Sequence, residues 1–234
     1  MRRARPLLVL LAVLAPAAVR AATDAPAEPL AVQVLLDRAG FSPGVIDGEW
    51  GGNSVKALAA FQEAHGLAVS RRLDEETREN LAAAAGTERH LASYAVTAED
   101  PDGGWQRLAE TFHTTPDLLR RLNPGLEPAP GVELQVPNVR PAGGAAGGGS
   151  GRVQVVVAQG DGTLTVENGS DVLFFAPVAA GGRRGPPPPG AARVRAVEAG
   201  AVCTESHGCV RLTNWDALRV AELVRPGTRV VFQP

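Results

Sequence analysis

The chain has 234 residues and a formal net charge of −2, so it has room for one to three domains and lacks the positive charge typical of nucleic-acid-binding proteins. It contains 27 glycines and 19 prolines but only 4% aromatic residues, which favours small modules joined by linkers over one large core. The two cysteines, Cys203 and Cys209, exclude a disulfide-rich scaffold, and no zinc site of four Cys and His ligands is visible, so we expect no metal and no cofactor.

The first 21 residues have the pattern of an export signal. Arg2, Arg3 and Arg5 form a basic start, a short apolar run covers residues 7–14, and Ala21 precedes the predicted cleavage site. A membrane anchor is the alternative, but the apolar run is shorter than the roughly 20 residues that span a bilayer. We therefore expect export to the periplasm or cell wall, with no transmembrane segment after signal cleavage.

Residues 28–86 carry the pattern of three short helices. Apolar residues recur at helical spacing from Val32 to Ala39, and Gly40 then favours a helix end. Residues 44–48 have turn chemistry, after which a second helix follows. Asp74 is placed to cap a third helix, with acidic residues in its first turn. Three such helices can bury one small core.

The same residues resemble the three-helix peptidoglycan-binding domain. The resemblance rests on Val45-Ile46-Asp47-Gly48, on the Phe-Gln-Glu-Ala-His-Gly-Leu sequence of residues 61–67, and on residues 73–77, which occur in the order of that family. It implies that this unit binds the glycopeptide of the cell wall. We expect His65 to lie at a helix end or on the surface, because no second metal ligand accompanies it.

Residues 93–138 form a second predicted unit. Tyr94 begins a short strand, Trp105 a helix and Thr115-Pro116 a capped second helix, and an alternating strand ends at Pro137. This βααβ order resembles the LysM fold, which implies binding to glycan strands that contain N-acetylglucosamine. Residues 99–104 depart from the compact Gly-Asp-Thr turn of that family. A spacer without ligand affinity remains the alternative.

The rest of the chain is predicted to be a flexible linker followed by a mostly-β unit. Residues 139–152 are rich in glycine and alanine in the manner of a linker. From residue 153 onward, strands are predicted at 153–157, 163–166, 172–175, 193–197 and 229–232. Thr213 or Asn214 is expected to cap a helix, in which Trp215 is a core residue, with substrate stacking as its alternative role. The complete prediction is a multidomain α+β chain.

Ser206-His207-Gly208-Cys209-Val210-Arg211 is the segment most indicative of chemistry. A nucleophilic cysteine needs a thiolate, a nearby base or positive charge, and donors for the oxyanion that forms on attack. This hexapeptide contains most of those groups. The alternative interpretation is a buried, inert cysteine beside a hydrogen-bonded loop histidine.

Residues 206–217 and 224–231 resemble the YkuD-type L,D-transpeptidase catalytic domain, which implies acyl transfer between peptidoglycan stem peptides through a thioester on Cys209. By this resemblance His207 and Gly208 are also catalytic, with the backbone near Gly208 forming the oxyanion hole. Arg211 orients the catalytic loop or pairs with a substrate carboxylate, and a structural salt bridge is its alternative. Ser206 and Asn214 are predicted to bind substrate.

The chain departs from this family in one respect that bears on activity. No histidine lies between His113 and His207, whereas the family carries an upstream histidine assigned as the catalytic base. Residues 181–206 are also too few for the central strands of the family domain. His207 is the remaining candidate base, and Cys203 is either a passive core residue or a disulfide partner of Cys209. The second hypothesis is therefore an inactive, peptidoglycan-binding relative.

Overall fold

The computed structural model describes residues 28–98, 100, 104–140, 152–180, 188–197 and 210–234. The predicted export signal, most of the predicted linker, and Cys203 together with residues 206–209 lie outside these ranges. Within the described ranges, six helices and nine strands form a helical unit, a βααβ unit and a β-rich C-terminal unit. None of these helices is long and apolar enough to cross a membrane.

The first unit is the predicted three-helix bundle. It consists of α1 (Pro29–Arg38), α2 (Gly52–Ala64) and α3 (Glu75–Ala85). Helix α1 ends before Gly40, which has a φ of 89°, and the Asp74 side chain caps α3 by accepting a hydrogen bond from the Thr77 backbone N–H. His65 caps the end of α2 and is exposed, as predicted.

The second unit has the predicted βααβ order. Strand β1 (Leu91–Ala95) is followed by α4 (Gly104–Thr111), α5 (Pro116–Leu122) and β2 (Glu133–Pro137), and the two strands pair antiparallel. Thr115 caps α5. Asn123 joins this helix to β2, since its side chain donates to the backbone oxygens of Leu119 and Gln135 and accepts from the Gln135 N–H. Whether this unit is a LysM domain stays a prediction.

The C-terminal unit is built on a five-stranded sheet in the order β5-β4-β3-β9-β7. Its strands are β3 (Val153–Ala158), β4 (Thr163–Asn168), β5 (Asp171–Pro177), β7 (Gly190–Arg193) and β9 (Arg229–Gln233). Strand β9 is parallel to β3, and the other neighbours are antiparallel. The short strands β6 (Ala179–Ala180) and β8 (Val210–Arg211) form a separate pair. Helix α6 (Asn214–Leu223) packs against the apolar face of the sheet.

One strand, predicted at 193–197, lies earlier in the chain, as β7. The structure ends β7 at Arg193, which is opposite Arg229, the first residue of β9. Residues after Arg193 therefore have no residue of β9 to pair with. Val194 instead exchanges backbone hydrogen bonds with Gly227 and Thr228 of the preceding turn. Residues 190–193 thus pair with β9, although the alternating pattern did not indicate a strand there.

The three units pack directly against one another. Phe175 of β5 is buried in the core of the first unit, and the chain at residues 40–42 hydrogen-bonds to its backbone. The Ile46 N–H donates to the His113 carbonyl of the second unit, and the Thr114 hydroxyl donates to the Ile46 carbonyl. A cluster drawn from all three units lies at this junction: Val34, Ile46, Leu118, Val139 and Trp215. Composition favoured separate modules, whereas the folded units share buried surfaces.

Candidate active site

The structure describes two of the six predicted site residues, Arg211 and Asn214. Ser206, His207, Gly208 and Cys209 lie outside the described residues, so the geometry of the nucleophile itself stays a prediction. Arg211 ends β8 and pairs with Ala179 of β6. Asn214 is the first residue of α6, and Thr213 is its N-cap. The chain that follows the predicted nucleophile is thus an ordered strand leading into a capped helix.

Two clefts border this segment. The first, which we call the loop cleft, has a volume of about 710 Å³. One wall comes from the C-terminal unit and the other from residues 43–54 of the first unit. The wall residues with polar or charged side chains are Gln33, Asp47, Glu49, Asn53, Ser54, Arg211 and Thr213. Carboxylates therefore lie on one wall of the loop cleft and a guanidinium on the other.

The second, which we call the helix cleft, has a volume of about 410 Å³. It lies between the helices of the second unit and residues 212–215, and its lining includes Gln106, Glu110, His113 and Asn214. Val45, Leu212 and Thr213 line both clefts. Each of the three units thus contributes to the surface beside β8.

The wall of the loop cleft from the first unit is held by a buried amide. The Nε2 of Gln33 donates to Asp47 Oδ1 at 2.9 Å, to the Glu49 carbonyl at 3.0 Å and to Ser54 Oγ at 3.2 Å. Its Oε1 accepts from the Gly48 N–H at 2.8 Å. Because this side chain is buried and fully used, it ties the loop to the start of α2. The loop is a fixed wall.

A buried polar network borders the helix cleft, where the three units meet. His113 Nδ1 is 2.7 Å from Asp37 Oδ2 on α1, and its Nε2 is 3.3 Å from Thr213 Oγ1 and 3.8 Å from Asp216 Oδ2. The Trp215 ring stacks on the imidazole, with centroids 5.3 Å apart and an interplanar angle of 11°. Trp215 is buried, as predicted, although it also lines the helix cleft.

Asp216 is the most enclosed member of this network. Burial raises the pKa of its carboxyl above the ordinary value of 3.8, and the His113 charge and the Ser42 and Thr213 hydroxyls oppose that shift. Thr213 reaches Oδ2, but no contact of hydrogen-bond geometry reaches Oδ1 within the described part of the chain, Ser42 included. The ionised form of Asp216 is therefore costly unless a cation stays beside it.

Sequence reasoning missed this network. In the sequence, His113 is notable only as the boundary of a histidine-free stretch, and Asp37 is a polar residue near the predicted end of a helix. Their partners lie 76 and 100 residues away along the chain. The one local signal is Thr213 three residues before Asp216, which marks the start of a helix. In the described ranges, no group of three His, Cys, Asp or Glu side chains is arranged to hold a metal ion.

Comparison with known proteins identifies two parts of the chain. A family model described as a putative peptidoglycan binding domain matches residues 27–81. A second, described as an L,D-transpeptidase catalytic domain (YkuD), matches residues 198–232. No curated protein sequence matches the chain significantly.

Solved structures with long alignments to the chain include two L,D-transpeptidases. The one from Xylanimonas cellulosilytica has 17% identity and a TM-score of 0.34, with 88% of this chain and 92% of that chain covered. The one from Stackebrandtia nassauensis has 15% identity and a TM-score of 0.29, with 87% and 90% covered. A fused zinc-dependent amidase/peptidase and peptidoglycan-binding-domain protein from Clostridium acetobutylicum has 16% identity and a TM-score of 0.29, with 88% and 94% covered.

These TM-scores do not establish a common fold, so the assignment rests on the family models. By those matches, the chain carries a peptidoglycan-binding-type domain at residues 27–81 and a segment of the YkuD family of L,D-transpeptidase catalytic domains at residues 198–232.

Proposed function

We propose that this protein is a cysteine-dependent L,D-transpeptidase that acts on peptidoglycan outside the cytoplasm. Its first unit, and the second if it is a LysM domain, hold the wall polymer while the C-terminal unit transfers acyl groups. The family match at 198–232 includes the predicted nucleophile, Cys209. The match at 27–81 supports peptidoglycan as the partner and the cell wall or periplasm as the location.

One observation carries this proposal beyond the motif. The residues that follow Cys209, from Arg211 to Asn214, line clefts whose opposite walls come from the two N-terminal units. A stem peptide carries both amines and carboxylates, and the loop cleft offers both Arg211 and the acidic pair Asp47 and Glu49. A substrate held by the N-terminal units is thereby delivered beside the reacting segment.

The proposed reaction has two steps. The Cys209 thiolate attacks the stem-peptide carbonyl next to the diamino acid, a C–S bond forms, and the terminal D-amino acid leaves as the amine after taking a proton. An amine of a second stem peptide then attacks the thioester, so that an amide forms, the C–S bond breaks and the thiolate is restored. The amine's proton passes to a base, for which His207 is the candidate. Water as acceptor makes the same enzyme an L,D-carboxypeptidase.

Mass spectrometry of the mature chain with a disaccharide-tetrapeptide tests the proposal. We expect an acyl adduct on Cys209 and release of the terminal D-alanine under reducing conditions. Cys209→Ala removes both, and Cys203→Ser, the matched control, retains both. If activity appears only after reduction and Cys203→Ser makes it independent of reductant, a Cys203–Cys209 disulfide controls the nucleophile.

The second candidate is an inactive wall-binding protein. The absence of a histidine between His113 and His207 favours it, because loss of a catalytic base costs several orders of magnitude in rate. In that case the reduced protein still sediments with purified peptidoglycan but forms no adduct and releases no D-alanine. The two experiments together separate an enzyme from a binding protein.

A further inference from the structure

The feature that the proposed reaction leaves unused is the buried histidine at the junction of the three units. His113 is 2% exposed, and it lies between Asp37 of the first unit and Asp216 of the C-terminal unit, which are 7% and 0% exposed. An ionisable side chain so fully enclosed is kept only where its partners satisfy it. Here the partners come from two different units, so the contact spans the whole junction.

The protons of the network can be assigned from its acceptors. The Thr213 hydroxyl donates its single proton to Asp216 Oδ2 at 2.8 Å, and its oxygen accepts the Asp216 backbone N–H at 3.0 Å. Towards His113 Nε2 this oxygen can therefore act only as an acceptor. Asp37 Oδ2 faces Nδ1 and is likewise an acceptor when ionised. Both ring nitrogens thus face acceptors, which only the imidazolium form can satisfy together.

We propose that His113, as an imidazolium held by Asp37, is a positioning residue that fixes the start of α6 and the strand before it against the two N-terminal units. Its effect on catalysis rests on the transpeptidase function proposed above. Its effect on structure does not.

The link from His113 to the clefts is short. Thr213, which His113 contacts, caps α6 and lines both clefts, and β8 ends two residues earlier at Arg211. A displaced helix start therefore moves the shared wall of both clefts. Docking of the first two units onto the C-terminal unit is in this way tied to the geometry of the segment that follows the predicted nucleophile.

The charged groups near the imidazole come from all three units. Asp37 of α1 and Asp216 of α6 face it, and Glu110 of α4 lines the same cleft. The loop of residues 42–46 contributes no titratable side chain. A neutral imidazole would leave one of the two acceptors, Asp37 or Thr213, without a donor.

Two measurements on the full mature chain test this without any need for activity. Nitrogen-15 NMR of the histidine side chains at about pH 6 is expected to show both His113 nitrogens protonated. Hydrogen exchange at residues 210–217 in the wild type is expected to be at least about tenfold slower than in His113→Gln at the same pH, as for one charge-assisted hydrogen bond.

Substitution supplies the matched comparison. His113→Gln keeps a donor towards one partner only, so exchange at residues 210–217 is expected to accelerate. His65→Gln, at the exposed end of α2, is expected to leave the wild-type exchange rate unchanged. If His113→Gln does not fold, Asp37→Asn replaces it with the same expectation. The NMR measurement on the wild type stands without either variant.

The outcomes separate the two proposals. A single-proton, neutral His113 at about pH 6, or an exchange profile in His113→Gln equal to that of His65→Gln, overturns the positioning role. If the enzyme is active, kcat for transfer is expected to fall in His113→Gln and to keep the wild-type value in His65→Gln. If no acyl adduct forms in any variant, the transpeptidase proposal fails, while the exchange and NMR results still decide the role of His113.

Discussion

Replacing Phe175 with alanine tests whether the C-terminal and first units fold as one body. Phe175 belongs to β5 but is 4% exposed within the core of the three-helix unit, where its ring stacks on Phe41 at a centroid distance of 6.5 Å. Truncation of a buried phenylalanine costs about 3–5 kcal/mol, which includes the aromatic contact. We expect that loss in the free energy of unfolding, since the Ser42 and Gly40 backbone bonds to residue 175 cannot fill the space.

Fluorine NMR of 5-fluorotryptophan-labelled protein in urea can locate the loss. Trp50 packs on the first core, Trp105 belongs to the second and Trp215 lies at the junction, so each unit has a reporter. In the wild type the three signals are expected to change together. In Phe175→Ala the Trp50 transition moves to lower urea than the Trp105 transition, because the first unit has lost its anchor.

Phe174→Ala is the control for that experiment. Phe174 is 3% exposed and adjacent in β5, but its side chain enters the cluster within the C-terminal unit. Its truncation is expected to cost a similar free energy without bringing the Trp50 transition forward relative to Trp105. The reasoning fails if Phe175→Ala costs less than about 1 kcal/mol, or if the two variants separate the Trp50 signal equally.

Three further predictions concern single positions. Gly40→Ala is expected to destabilise by about 1–3 kcal/mol in urea unfolding, because the φ of 89° is strained for alanine and a Cβ would meet the Leu173 carbonyl at 3.2 Å; an unchanged midpoint contradicts this. Asp74→Ala is expected to cost about 1 kcal/mol at neutral pH through loss of the α3 cap. Hydrogen bonds from Thr77 lower the pKa of Asp74, so this cost is present above the ordinary value of 3.8 and disappears as the pH falls through the lowered value; a cost constant with pH refutes that assignment. Burial raises the pKa of Asp216, so wild-type stability gains a contribution as the pH falls from that raised value towards 3.8, and Asp216→Asn is expected to lack this contribution; equal pH profiles would exclude it.

The elements with local signals could be predicted from the sequence. Asp74, Thr115 and Thr213 each cap a helix by accepting a backbone N–H three residues ahead, so the signal and its effect lie within one turn. The hydrophobic periods of the first two helices of the first unit and of the strands from 153 to 175 act over similarly short distances. These elements were placed within a few residues of their observed bounds.

The junction could not be predicted in this way. Phe175 looks like any other apolar strand residue, and only the fold shows that it enters a different unit from Phe174. Gln33 and His113 are polar residues whose burial depends on acceptors contributed by distant segments. Hydrophobic patterns count such residues as surface, so a core that joins separate units through polar contacts gives no periodic signal.

The position of β9 has a consequence for how the chain reaches this structure. Strand β9 inserts between β3 and β7, and it pairs with β3 from Gln154 opposite Arg229 onward. As the chain emerges from its N-terminus to its C-terminus, the β3–β5 meander can form from neighbouring segments, while the other edge of β3 stays open until residues 229–233 have appeared. An open strand edge is a template for pairing with other chains. Until β9 pairs, the molecule is therefore prone to aggregate through this edge, which a holding chaperone would cover.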